Sequence, residues 1–193
     1  MRKLTWLFAS LLLSAGSGIA GAQGAASGKP AAKPTTVAQI EDYLVAAVGR
    51  GFVRTADAMP ADKYSFAPTQ GNFKGVRTFA EQVKHVAAVN YQMGGALLKE
   101  KHPVEFASGG GPDSITTKAE ILKFLTGSFE YLRKAVGTIN EKTAAEQIPN
   151  PEGEGTVSRL EIATRVQWHV NDHYGQLVEY LRMNGIVPPA SQS

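Results

Sequence analysis

Among the side chains that could do chemistry in this sequence, histidines stand out, and two of the four are one helical turn apart. His169 and His173 lie in a stretch whose apolar residues recur at helical spacing. At about 100° per residue, Ile162, Val166, His169, His173, Gln176, Leu177 and Tyr180 share one face, so both imidazoles fall inside the apolar stripe. Side chains four positions apart on a helix lie about 5–6 Å apart at Cβ, which suits chelation of one ion. Two hydrogen-bonded core histidines would show the same spacing. A third imidazole, His85, occurs in a second helical stretch, in a row with Val89 and Met93 beside the Val83, Val86 and Asn90 row. The helical wheel sets it on the flank of the apolar face. Three buried neutral rings without a ligand would be costly, because each needs partners for both nitrogens. His102 precedes Pro103 in a loop and reads as an exposed turn residue.

Three imidazoles around one ion leave coordination positions open. Structural zinc sites usually close with four protein ligands, whereas sites that do chemistry keep a position free. Neutral imidazole suits Zn, Ni, Fe or Cu, so if His85, His169 and His173 share an ion it is a divalent cation of unspecified identity. Three functions follow. The first is a metal-dependent hydrolase or group transferase acting on a small-molecule substrate. The second is a metal-binding or stress-associated bundle without turnover, and the third a structural bundle with three core histidines. No carboxylate pair, phosphate loop or serine triad is legible, and no catalytic residue is assigned. Spacing does not place Asp172, Glu130 or Tyr131 near the histidines. Structural roles account for Gly175 (close helix approach), Gln176 (a hydrogen bond within the bundle) and Arg182 (a cation at a helix C-terminus).

The elements that must position these rings are four helices. The first is expected over 37–58, where Val37, Ile40, Leu44, Ala47, Val48 and Phe52 mark one face. The other three open on capping-box sequences, Thr78 to Glu81, Thr117 to Glu120 and Ser158 to Glu161. In each, the hydroxyl accepts from the amide three residues on while the glutamate answers the cap amide. The third helix carries Ile121, Leu125, Phe129, Leu132, Val136 and Ile139; the fourth stops at Gly185, with Pro188 just beyond. Leu44, Val83, Leu125, Leu132, Val166 and Leu177 are expected in a common core. The irregular segment 59–76 carries Tyr64, Phe66 and Phe73, expected to pack onto the bundle. Nothing alternates as a run of strands would, so the fold class is all-α, a four-helix bundle.

The N-terminus reads as an address. Arg2 and Lys3 precede the apolar run 4–13, and Ala20-Gly21-Ala22 forms a cleavage site before Gln23. About ten apolar residues are too few to span a bilayer as a helix, so a signal peptide over 1–22 and a secreted or periplasmic product are expected, without stable membrane insertion. Residues 23–36, rich in Gly, Ala, Ser, Lys and Pro, read as a flexible linker. The folded domain is expected over 37–189, with 190–193 as a tail. Without Arg2 and Lys3, 18 basic residues face 17 acidic ones and the net charge falls from +3 to +1. A nearly neutral domain without a basic stripe is a poor partner for nucleic acid. The absence of cysteine excludes disulfides, thiolate metal sites and a cysteine nucleophile. Partners left open are a small-molecule substrate and a second copy, as a homodimer.

The stretch from His169 to Pro189, HVNDHYGQLVEYLRMNGIVPP, resembles the closing helix of DinB/YfiT-type proteins. Those end in a pattern H-x-x-x-H-x-G-Q-h-x-x-h-h-R-x-x-G with prolines just after. Residues 79–86 are similar to the family's second helix, where a histidine lies between apolar neighbours, and helix count and order agree over roughly 37–189. The resemblance implies an up-down-down-up four-helix bundle in which three histidines bind a divalent metal. Carried over by position, these are His85 from the second helix with His169 and His173 from the fourth. It also implies transferase or isomerase chemistry with low-molecular-weight thiols, the activity of most characterised members.

Overall fold

The structure, a computed structural model, describes residues 33–106 and 109–192. The expected leader and residues 23–32 of the expected linker lie outside the described residues. Four helices make up most of the rest: α1 (Val37–Ala58), α2 (Phe79–Leu98), α3 (Lys118–Val136) and α4 (Arg159–Met183). Thr36 caps α1 by accepting from the Gln39 amide. The reciprocal boxes at Thr78/Glu81 and Thr117/Glu120 are complete. The third is half made. Ser158 Oγ accepts from the Glu161 amide at 3.2 Å, but the Glu161 carboxylate turns to Arg165, 2.5 Å away and one turn on. Ser158 also ends a strand, so its backbone is committed elsewhere.

That strand belongs to the ribbon that, among the described residues, departs from all-α structure. Between α3 and α4, β1 (Gln147–Pro149) and β2 (Thr156–Ser158) pair antiparallel, Ile148 opposite Val157. Both of these face the core and are buried, while their strand neighbours point outward, the period-two pattern of a ribbon covering one side of a bundle. Three-residue strands carry too little alternation to register in the sequence.

Contacts set the helix directions. Asp42, Gly49 and Asp57 of α1 meet Arg133, Phe129 and Lys118 of α3 in reverse order, so these two are antiparallel. Asn90 and Gly94 of α2 meet Ser128 and Tyr131 of α3 in the same order, so those are parallel. Glu41 and Gly51 of α1 lie against Gln167 and Tyr174 of α4, again parallel. Gln82 and His85 of α2 meet Gln176 and His173 of α4, antiparallel. The bundle is therefore up-down-down-up, with α2 between α3 and α4. A parallel α2–α3 pair needs a long return, which 99–117 supplies.

Val83, Leu125, Leu132, Val166 and Leu177 share the buried core as expected. Leu44 does not; it is 37% exposed, and Ile40 and Tyr43 are also out. The buried line on α1 runs through Glu41, Val45, Gly49, Phe52 and Ala56, one position round from the expected one. Gly49 decides the rotation: a Cβ there would stand 2.9 Å from the Phe129 ring, so the helix seats its smallest residue against α3. In 59–76, Tyr64 packs edge-on to Phe79 and Phe66 edge-on to Tyr180, while Phe73 stays 40% exposed.

Candidate metal centre

His169 and His173 point from α4 toward α2, and His85 points from α2 back at them. The flank position of His85 on the wheel is therefore the α4-facing side. It looked marginal because α2 is buried on most sides: α3 and α4 cover two, and the crossover and ribbon turn reach others, through Gly111 against Lys84 and Gln92 bonded to the Pro151 carbonyl. His102 lies apart, stacked on Phe106 with centroids 4.5 Å apart and half-buried rather than exposed.

The three rings stand edge to face, with centroids 4.4–5.0 Å apart. Nε2 of His169 is 3.1 Å from Nε2 of His85 and 3.0 Å from Nε2 of His173. One ligand nitrogen from each lies within 4.8 Å of the others. The tautomer of His85 follows from its neighbour. Its Nδ1 is 2.6 Å from the Gly109 carbonyl oxygen, which can only accept, so Nδ1 carries the proton and Nε2 presents a lone pair. This is the outer hydrogen bond that orients a ligating imidazole.

Hydrogen bonding among the rings does not account for the cluster. One proton at most can sit on the central Nε2 of His169, and it cannot satisfy two neighbouring nitrogens at full strength. Nδ1 of His169 has no partner among the described residues, which holds for either tautomer and does not separate the two readings. A cation reverses the balance, since it accepts three lone pairs together. Two nitrogens bound at about 2.0–2.1 Å to one ion are roughly 3 Å apart when the angle between them is near a right angle. The observed separations fit, and the donor set, three neutral imidazoles, is one that Zn, Ni, Fe or Cu accepts.

Electrostatics keep the rings neutral. Burial, then the charges of His173, His85 and Arg77, holds His169 down at about 3. Burial and the His85 charge hold His173 at about 4, against the opposing pull of Asp172. His85 is lowered as well, chiefly by burial, with the Gly109 bond opposing. Desolvation penalises the charged ring, and what remains is a set of free lone pairs at neutral pH.

Around the rings are groups that spacing did not select. Gln82 Nε2 donates to Gln176 Oε1, and Gln176 Nε2 donates to Asp172 at 2.9 Å, a chain one turn from the histidines on both helices. Gln176 thus bonds within the bundle as expected, and Asp172 proves to be near the site. Tyr131 bonds to Glu100 and packs on Tyr91 along α3, and Glu130 faces that side too, so neither joins the histidines. Gly175 is not a point of close approach, because a Cβ there would meet nothing within 4 Å. Arg182 pairs with Glu179 near the α4 C-terminus. Arg77 and Gly109 escaped the sequence reading because both come from loops.

With this geometry in place, comparison with known proteins is specific. The DinB superfamily profile matches residues 45–177, most of the chain and all three histidines. The protein belongs to the DinB superfamily. No curated protein matches it. Within this DinB-type bundle the histidine group could hold a metal ion, and α2 and α4 are the pair that present it.

Proposed function

We propose that this DinB-superfamily protein is exported, holds one divalent cation through Nε2 of His85, His169 and His173, and uses it in hydrolysis or group transfer on a small molecule. The observation that carries the reading is the meeting of three Nε2 atoms at 3.0–3.1 Å around His169, with His85 turned by the Gly109 carbonyl so that its lone pair faces inward. Three protein donors are fewer than a closed structural site uses. A divalent ion there would supply Lewis acidity toward an oxygen or sulfur donor of a substrate. The chain's own contribution is to keep three rings neutral by burial, to fix their directions, and to border them with the amide chain Gln82–Gln176–Asp172.

Export rests on the sequence of the leader, and it favours a hydrolytic reaction or a transfer that does not draw on thiols kept reduced in the cytosol. A non-catalytic metal-binding role is the second reading. It is favoured by the engagement of Asp172, the carboxylate beside the rings, with Gln176. Elemental analysis of the purified mature protein is the test: about one equivalent of a divalent metal is expected, falling sharply in each single His→Ala variant at 85, 169 and 173 but not in His102→Ala. Substoichiometric metal in the parent, after incubation with Zn, Ni, Fe and Cu salts, sinks the reading. Screening against ester, amide and thiol-transfer substrates, with and without chelator, separates the enzyme from the binder. Mass spectrometry of protein from the producing cell should find a chain starting at or near Gln23; intact protein confined to the cytoplasm refutes export.

A further inference from the structure

The α2–α4 seam is hollow on both sides of the histidines. Toward the middle of α2 lies a small cavity of about 230 Å³ that includes Met93, Trp168 and His169. Toward the α2 N-terminus lies a larger one of about 510 Å³, walled by Phe73, Val76, Tyr180 and Met183, with Arg77, Gln82 and Gln176 also lining it. A cavity of about 760 Å³ between α3 and the crossover exceeds both but contains none of the histidines. The 510 Å³ cavity has the size and apolar lining of small-molecule sites; Gln82 and Gln176 line it on the side of the rings, and Glu179, which also lines it, is engaged by Arg182. Gln82 is one turn before His85 on α2, and Gln176 one turn after His173 on α4.

Two observations define what this cavity would take. The first is a cation. Tyr180 donates its hydroxyl to the Arg77 carbonyl at 2.9 Å, which ties the Arg77 backbone over α4. The Arg77 guanidinium forms no ion pair among the described residues, and it lies close enough for its charge to act on all three imidazoles. The second is a buried acceptor. The Asp172 carboxylate accepts from Gln176, which fixes the direction of that amide; Gln176 Oε1 must then accept from Gln82, and Gln82 Oε1 is left over. Gln82 is 2% exposed and its Oε1 has no partner among the described residues. A buried amide oxygen without a donor costs free energy that a hydroxyl or N–H would recover, and because this oxygen has almost no accessible surface, the Gln82 amide must turn toward the cavity to meet one.

We propose that this cavity is the substrate subsite of the metal centre and that it recognises a small organic acid. The carboxylate meets Arg77, an apolar body lies against Phe73, Tyr180 and Met183, and a hydroxyl or N–H donor faces Gln82 Oε1. Arginine suits this task because its planar fork matches a carboxylate in two parallel hydrogen bonds. The assignment rests on the metal reading for the word substrate, but not for the binding of the acid.

The test uses 3-phenyllactate, which carries all three features, its methyl ester, which lacks the charge, and 3-phenylpropionate, which lacks the hydroxyl. Binding to the full mature protein is followed by calorimetry, and metal content is measured on the same sample. The acid is expected to bind about tenfold or more tightly than the ester, as loss of a charge-assisted pair implies. 3-Phenylpropionate should bind more weakly than 3-phenyllactate. In Arg77→Gln the preference for acid over ester should disappear while helicity stays as in the parent. Equal affinity for acid and ester in the parent overturns the proposal. So does an unchanged preference in Arg77→Gln, which would put the carboxylate elsewhere. A parent that proves metal-free yet still prefers the acid through Arg77 refutes the metal reading and upholds the anion subsite.

Discussion

Helix α2 makes two seams, and they handle polar groups unequally. Toward α3 its buried polar side chain, Asn90, donates to Ser128 at 3.1 Å, and Ser128 passes its own proton to the Leu125 carbonyl, while Asn90 Oδ1 has no partner among the described residues. The surroundings are Tyr91 stacked on Phe124, and Leu125 and Leu132 sealed from solvent. Toward α4 the same helix presents His85 and Gln82 to His169, His173 and Gln176, and ring and amide atoms there lack partners among the described residues. The α3 seam leaves one buried polar atom without a partner among the described residues, Asn90 Oδ1; the α4 seam leaves three, Gln82 Oε1 and the Nδ1 atoms of His169 and His173. Unsatisfied buried polar atoms are rare in folded proteins, and the α4 seam, which holds most of these, is also where the Nε2 atoms proposed to hold an ion converge.

The comparison predicts a separation of phenotypes, and the largest effect comes first. His169→Ala should remove nearly all bound metal, since its nitrogen is the one in contact with both others, while circular dichroism shows the helices intact. Leu125→Ala, on the α3 seam, should do the reverse: lower stability by about 2–5 kcal/mol in urea unfolding, with metal content per folded chain unchanged. If both variants lose metal and stability together, the two seams are one cooperative unit and the division is wrong.

Acid should expose the same asymmetry in metal-free protein. A histidine held neutral by burial binds its proton less readily folded than unfolded, so the unfolded state takes up more protons below the ordinary imidazole value. Stability is then unaffected above about pH 6.5. It falls as pH drops toward about 4 and about 3, where His173 and His169 charge even in the folded chain. Urea unfolding at pH 7 and pH 4.5 with chelator present should show a loss of a few kcal/mol, and the double variant His169→Ala/His173→Ala should lose clearly less. Equal losses would mean that these rings are not what acid attacks.

Gly94 brings the effect down to packing. On the α3 side of α2, an added Cβ would stand 2.8 Å from the Tyr131 ring. Gly94→Ala should therefore cost about 1–3 kcal/mol by displacing that ring, with metal content unaltered. A neutral or stabilising result would show that Tyr131, half-buried and bonded to Glu100 at its tip, swings aside freely.

How much of this could be read beforehand divides along physical lines. Features written in local sequence were legible: three helix starts with their glutamates, the Gly185 stop, and the apolar rows of α3 and α4. The histidine spacing on α4 was legible for the same reason, as was the up-down-down-up order through the closing motif. Features decided by tertiary contact were not. The α1 face was placed one residue off because a wheel weighs Leu44 above Gly49, whereas Phe129 selects the residue with no side chain. Ser158 opened its helix with half a box because a strand ends there, and three-residue strands leave no period to detect. Gly109 and Arg77, which orient His85 and bring charge to the rings, come from loops whose paths no spacing rule fixes.

The smallest expected effect tests the closing motif itself. Gly175 sits between His173 and Gln176, where a glycine invites the inference that two helices must touch. They do not touch there. The position is exposed, inside α4, and an added Cβ would find open space. Glycine in a helix interior costs roughly 0.5–1 kcal/mol relative to alanine, through the backbone freedom it surrenders on folding. Gly175→Ala should accordingly raise stability by about that much, with metal content and the preference for 3-phenyllactate over its ester unchanged. A stabilised variant that keeps its metal but loses ligand would place the occupant of the seam against the outer face of α4, over Gly175, rather than in the Arg77 cavity. A variant that loses metal would mean that the backbone at Gly175 must move for the rings to close on an ion, and the arrangement of His169 and His173 seen here would then be only one of two.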